Sequence, residues 1–160
     1  MSMLDLLPGR RKPTFSAATS HDAAAMVPIH AEAFHRGWSH GEFVELLENR
    51  DVVAHRAMMG EDLAGFILSR IVADEAEILS VAVAARWRGR GIAGELLHLH
   101  LRGLAGRGVA TIFLEVGETN TPALRLYQHV GFRDVGRREG YYPDAGGRRI
   151  VALILRRDIA

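Results

Sequence analysis

Apolar positions along this chain recur at two different spacings, and the switches between them mark out alternating strands and helices. Thr14 to Ala18 is short and β-compatible. Ser20 has the right chemistry for a helix cap, and after it Ala24, Val27, Ala31 and Phe34 return every three or four residues, the spacing of one helix face. Pro28 lies inside that run, so a kink or two shorter helices is expected. Ser39 is placed to cap a second helix over Gly41 to Asn49, whose Phe43, Leu46 and Leu47 face one way, and His35 to Trp38 between the two is expected on the surface. Val52 to Met59 and Leu63 to Val72 flank Gly60-Glu61-Asp62 as a hairpin.

Ala73-Asp74-Glu75 turns the chain into a strand over Ile78 to Ala84, in which Leu79, Val81 and Val83 alternate with Ser80, Ala82 and Ala84. One face is bulky and the other nearly smooth; a smooth face suits an extended molecule lying on it or, more commonly, small residues under a packed helix. Ala93, Leu96, Leu97, Leu101 and Leu104 form the next helical stripe, ended by Gly106 to Gly108. Thr111 to Val116 is a strand, and the long crossover into it implies parallel pairing with the strand at Ile78. Asn120-Thr121-Pro122 opens another helix, with an N-cap followed by proline near the first position, and Gly131 stops it. Phe132 to Gly136 and Arg149 to Leu155 read as closing strands, with Tyr141 to Gly147 between them.

Composition narrows the class. The 160 residues, 48% hydrophobic and 24% charged, suit a single domain over 14–160 behind a flexible N-terminal extension, 1–13. A net charge of +1 supplies no global basic field, so no direct nucleic-acid partner is expected despite local basic groups at Arg10-Arg11-Lys12 and Arg86/Arg88/Arg90. The chain has no cysteine, so catalytic chemistry falls to other residue types. The N-terminus is too short in apolar residues for a signal peptide and no run reaches membrane-spanning length, which points to a cytoplasmic protein with no membrane partner. Eight histidines raise a metal site, but His98 and His100 are two apart on a helix and no His-Glu-x-x-His occurs, so no metal role is assigned.

The candidate chemistry centres on Arg86-Trp87-Arg88-Gly89-Arg90-Gly91-Ile92-Ala93-Gly94, between a strand and a helix. Backbone N–H donors, the positive end of a helix dipole and guanidinium groups make this a receptacle for phosphates. Gly89 to Gly94 satisfies G-x-G-x-x-G with Glu115 about twenty residues on, as a dinucleotide site would. Four residues separate the strand from the first glycine, however, and only 45 residues follow Glu115, too few for the second half of such a domain. A P-loop is excluded because no Gly-Lys-Ser/Thr follows.

Arg88-x-x-Gly91-x-Ala93, directly after Leu-Ser-Val-Ala-Val, resembles the pyrophosphate loop of the GCN5-related N-acetyltransferases, and the likeness in element order extends from Thr14 to Leu155. The resemblance implies a mixed α/β fold: a mostly antiparallel sheet of six to seven strands with a central parallel pair, flanked by about four helices. It implies acetyl-coenzyme A as cosubstrate, with backbone groups of Val81, Ala82 and Val83 on the pantetheine arm. Arg88, Gly89, Arg90, Gly91, Ile92, Ala93 and Gly94 would hold the pyrophosphate, and Asn120 would also contact the coenzyme.

Leu114-Glu115-Val116 with Asn120 to Ala123, Leu126-Tyr127 with Gly131-Phe132, and Gly140 to Pro143 with Gly147-Arg148 are together similar to the bacterial ribosomal-protein-alanine N-acetyltransferases. Ala33-Phe34 with Trp38-Ser39 and Phe43 resembles that group's acceptor-side loop. Two departures concern the expected peptide groove: Gly117 stands where the group has Arg, and Arg149-Ile150 replaces Glu-Asp. By resemblance Glu115 is the general base and Tyr127 the general acid, each role worth about 10²- to 10⁴-fold. From the residues alone, Glu115 interrupts an apolar strand and so needs a partner or a raised pKa, unless it sits on an edge in water; Tyr127 shares a stripe with Ala123, Leu126 and Val130 that also suits a core tyrosine. Trp38, Ser39, Tyr141 and Tyr142 are the acceptor-binding candidates. The expected activity is acetylation of the N-terminal α-amine of a protein or peptide, a ribosomal protein among the candidates, by a monomer or homodimer. A small amine or free amino acid as acceptor remains open, as does a binding module that holds acetyl-coenzyme A without turnover.

Overall fold

The computed structural model describes residues 12–34, 36–143 and 149–159, with 140–143 and 149–150 described by their backbone alone. The elements run β1 (Thr14–Ala17), α1 (Ala23–Ala33), α2 (His40–Glu48), β2 (Val52–Met59), β3 (Asp62–Val72), β4 (Glu75–Val83), α3 (Ile92–Gly106), β5 (Thr111–Gly117), α4 (Thr121–Val130), β6 (Arg133–Pro143) and β7 (Arg149–Asp158). Seven strands form one sheet in the order β1-β2-β3-β4-β5-β7-β6. Every neighbouring pair is antiparallel except β4 and β5, the parallel pair that the long crossover through α3 requires.

Each face of the sheet carries its own core. On one, Leu96, Leu97, Leu101 and Leu104 of α3 pack with Ile67, Ile112 and Leu114, and α4 adds Tyr127 and Val130. On the other, Ala23 and Met26 of α1 and Phe43 of α2 cover Phe66, Leu68, Ala82 and Ala84. The smooth side of β4 is therefore small because helices lie on it. What β4 leaves open is its edge. Pairing with β5 consists of Glu75↔Thr111, Ala76↔Ile112 and Glu77↔Phe113 and then stops, so the two strands part beyond Glu77. A register shift between β3 and β4 at Leu68/Ser69 leaves Leu79 as the extra residue, a bulge at the mouth of the split.

Several local expectations need correcting. The first cap is Thr19, which shares a capping box with Asp22 around a short 3₁₀ turn, Ser20–Asp22. Of the two alternatives at Pro28, two shorter helices are not formed: the proline lies inside one continuous helix. The closing strand β6 reaches Pro143, so Tyr141 and Tyr142 are on a strand rather than in a loop. Residues 1–11, His35 and 144–148 lie outside the described residues, and with them most of the expected N-terminal extension and the Gly147-Arg148 segment. Asp22, buried at its carboxylate, accepts a 2.6 Å hydrogen bond from Arg56 and ties the start of α1 to β2. No helix among the described residues is long and apolar enough to cross a membrane.

Candidate active site

The site is built where β4 and β5 separate. Val81, Ala82 and Val83 follow the last β4–β5 pair, so the β5-facing edge of this stretch has no ladder partner among the described residues. Unpaired strand groups are strong donors and acceptors for an extended ligand. Past Val83 a 3₁₀ turn, Ala85–Trp87, leads to Gly89 and Gly91, both in the left-handed region with φ of 78° and 77°. Gly91 is the N-cap of α3 and supplies no side-chain cap, so the first N–H groups of the helix, at Ile92, Ala93 and Gly94, point out unclaimed by a side chain. A Cβ built on Gly89 or Gly91 meets nothing within 4 Å. Open space, free donors and a helix N-terminus fit a pyrophosphate.

The three guanidinium groups are distributed. Arg88 Nε donates to the Val83 carbonyl at 3.1 Å and ties the loop to the end of β4. Arg86 and Arg90 flank the Trp87 ring at 5.2 and 5.0 Å, and Arg86 also pairs with Asp62 at 3.3 Å. Asn120 caps α4 by accepting from Ala123 N at 3.3 Å.

Strand parity places Glu115 and Tyr127 on opposite sides of the sheet. Ile112, Leu114 and Val116 of β5 point into the α3–α4 core, so Glu115 faces the α1–α2 side. Tyr127, on α4, belongs to the α3–α4 core and packs edge-on against Phe132 with ring centroids 5.8 Å apart. Burial pushes the Tyr127 phenol up to about 12, so it keeps its proton at neutral pH. Glu115 does have a partner: Arg138 Nη1 donates to its Oε1 at 2.9 Å.

On the α1–α2 side, Trp38 is half-buried rather than a free loop residue: it stacks on His30 at 4.4 Å, and its backbone N–H donates to His30 Nδ1. Accepting at Nδ1 requires a neutral imidazole, and burial lowers the His30 pKa against the opposing pull of Glu42. Ser39 Oγ accepts from Glu42 N as the cap of α2. A groove of about 340 Å³ lined in part by Trp38, Glu42, Glu45, Arg70 and Leu79 opens on this face. Leu79, the bulged residue just beyond the last β4–β5 pair, contributes to this groove from the sheet. Tyr141 and Tyr142 are placed by backbone only, with Tyr142 opposite Ile150; their side chains lie outside the described residues. Arg138 and His30 were missed in the sequence, because neither stands in a recognisable motif. Among the described residues no group of three His, Cys, Asp or Glu could hold a metal.

The site thus combines a split parallel strand pair, a helix start with uncapped N–H groups and open space, and a buried phenol and a carboxylate on opposite sides of the sheet. The chain belongs to the acetyltransferase (GNAT) family, whose model matches residues 23–132. It is 32% identical over 141 residues to the [ribosomal protein bS18]-alanine N-acetyltransferase of Escherichia coli K12, covering 88% of this chain and 95% of that one. It is also 32% identical over 112 residues to the enzyme of that description from Haemophilus influenzae, covering 70% and 68%. The crystal structure of the ribosomal-protein-S18-alanine N-acetyltransferase from Escherichia coli superposes with a TM-score of 0.87 at 30% identity, over 93% of this chain and 95% of that one. Arabidopsis thaliana NAA60 in complex with acetyl-CoA shares the fold, with a TM-score of 0.81 at 24% identity over 92% and 99%. Acetyl-coenzyme A is the cosubstrate of this family, and the loop geometry fits its pyrophosphate.

Two substitutions test that cradle. Gly91→Val puts a β-branched residue into the left-handed region and a side chain into the open space, and Arg88→Ala removes a charge and the tie to Val83. Each is expected to weaken acetyl-coenzyme A binding by about tenfold or more with the fold retained. Calorimetric titration giving wild-type affinity for both would remove the phosphate-cradle assignment.

Proposed function

We propose that this protein acetylates the N-terminal α-amine of a protein or peptide by direct transfer from acetyl-coenzyme A, with Glu115 as general base through a water and Tyr127 as general acid. The observation that carries the reading is the placement of Glu115 and Tyr127 on opposite faces of the sheet. An acceptor entering from the α1–α2 side meets the carboxylate. A thioester lying in the split, its phosphates at Gly89 to Gly94, presents its sulfur toward α4. The amine loses a proton and forms the C–N bond as the C–S bond breaks, and the Tyr127 hydroxyl donates to the sulfur. No covalent enzyme intermediate is needed.

The relatives named above support an α-amine, with a ribosomal protein among the candidate acceptors. Titration arithmetic agrees. An α-amine titrates near 8 and a lysine near 10.4, so reaching the free base at pH 7 costs roughly 1 kcal/mol for the first and about 4 to 5 for the second. The smaller gap is the one a single carboxylate acting through water has to cover, and this supports the reading that the relatives suggest. Trp38, held by His30 and Phe43, would steady the first residues of an extended peptide, together with Ser39, Tyr141 and Tyr142.

Paired peptides with free and formylated N-termini, each carrying an internal lysine, test the acceptor by mass spectrometry. The free peptide alone is expected to gain an acetyl group, on its first residue, with Ala or Ser preferred there. Equal acetylation of both peptides would make the ε-amine the acceptor and overturn the reading.

A further inference from the structure

The Glu115 carboxylate is held by an arginine that no motif announces. Arg138 reaches it from β6, two strands away, across β7. The register shows how. Gly117 of β5 pairs with Ala152 of β7, and Ala152 pairs with Arg138 of β6, so the three share one row and one face of the sheet. Glu115 is on that face, two residues from Gly117. The row holds no side chain at Gly117 and a single methyl at Ala152, which leaves a clear path for a long side chain lying along the sheet. Two strand spacings amount to roughly 10 Å, a gap that an arginine and a glutamate can close end to end.

Arg137 and Arg138 are adjacent, and parity decides which of them faces the base. A register shift between Asp134 and Gly136 leaves Val135 bulged out of β6. After it, Arg138 falls opposite Ala152, while Arg137 falls opposite Leu153 and pairs with Glu118 at 3.7 Å. With 49% and 26% of their side-chain surfaces exposed, Arg138 and Glu115 form a pair that adds little to stability. Its effect is geometric. One guanidinium nitrogen holds Oε1 at 2.9 Å, which fixes the carboxylate rotamer and leaves Oε2 for a water or an amine.

We propose that Arg138 is the positioning residue of this acetyltransferase: by clamping Oε1 of Glu115 it aims Oε2 into the β4–β5 split where the acceptor amine is deprotonated. The inference rests on Glu115 being the base. A carboxylate is a weak base toward an ammonium group, so its orientation toward the acceptor and its bridging water matters more than its proton affinity. Removing the clamp frees the glutamate side chain to rotate, and productive arrangements become rare.

Steady-state thiol release is measured for wild type, Arg138→Ala, Arg138→Lys, Arg137→Ala, Glu115→Gln and the Glu115→Gln/Arg138→Ala double variant, using a peptide acceptor with a free N-terminus. Arg138→Ala is expected to lower kcat on the order of tenfold with KM for acetyl-coenzyme A unchanged. Arg138→Lys, which keeps the charge on a shorter side chain without the guanidinium fork, is expected to retain part of the activity that Arg138→Ala loses, and Arg137→Ala behaves as wild type. In the Glu115→Gln background Arg138→Ala is expected to cost little further in kcat, because its proposed effect on turnover runs through the carboxylate. Slow Glu115→Gln with unaltered or faster Arg138→Ala overturns the inference alone, as does an equal loss from Arg138→Ala in both backgrounds. Wild-type turnover by Glu115→Gln overturns the base assignment, and the inference with it.

Discussion

Tyr127→Phe is expected to lower kcat by about 10²-fold while leaving thermal stability and acetyl-coenzyme A affinity close to wild type. The ring is part of the α3–α4 core and packs edge-on against Phe132, and phenylalanine keeps that packing while removing the hydroxyl alone. Its effect on stability is therefore small. In the proposed mechanism the hydroxyl acts on charge that develops as the thioester breaks, so its loss is expected to fall on kcat rather than on binding. With its phenol pushed up to about 12 by burial, Tyr127 is protonated at neutral pH and has a hydrogen to offer the sulfur as negative charge develops there. Steady-state thiol release with calorimetric titration of the cosubstrate separates the two quantities. Unaltered kcat would make Tyr127 a core residue only, and another acid would have to serve.

The elements and the loop were readable because they depend on local signals. Two-residue alternation marked β4 and β5, three-to-four spacing marked α3, and Asn120-Thr121-Pro122 with Gly131 bounded α4. Arg88-x-x-Gly91-x-Ala93 located the start of α3, where Gly91 indeed takes the left-handed conformation. What was not readable depends on register. Nothing in Ile78 to Ala84 announces that pairing with β5 stops after Glu77, or that Leu79 bulges; both follow from how three strands align across the sheet. The same is true of Arg138, whose face is set by a bulge at Val135 that shifts every later residue of β6 relative to β7. Thr19 displaced Ser20 as the cap because Asp22 completes a capping box around it, a contest between adjacent residues that type alone cannot decide.

Acidification from pH 7 to 4.5 is expected to lower unfolding free energy by about 2 to 3 kcal/mol through the fully buried His100 and its half-buried partner His55, which lie on the far side of the sheet from Glu115. His100 of α3 has no exposed surface. Its Nδ1 is 2.8 Å from His55 Nδ1 on β2, and its Nε2 is 2.6 Å from Ser69 Oγ on β3. Two imidazole nitrogens at that distance share one hydrogen, so a second proton would set two N–H groups face to face. Burial first, and His55 second, bring the His100 pKa down from 6.5 to about 3; burial lowers that of His55 as well. Because the folded value is depressed, the unfolded chain binds the proton more readily. The contribution to stability is full above 6.5 and is lost as the pH falls from there toward 3, reaching about 5 kcal/mol at the end of the range. Asp158, whose pKa is lowered chiefly by its hydrogen bond from Arg156, acts only below the ordinary carboxylate range and so outside the 7 to 4.5 window. Urea unfolding followed by circular dichroism at the two pH values reads the change directly, and Tm should fall by about 5 to 10 °C. His100→Gln removes the group with the largest shift, and although less stable at pH 7 it is expected to show a flatter dependence, the remaining slope coming from His55 and His30, whose pKa values burial also lowers. Equal slopes for wild type and His100→Gln would assign the acid sensitivity to other groups and leave the pair a pH-neutral element of the core.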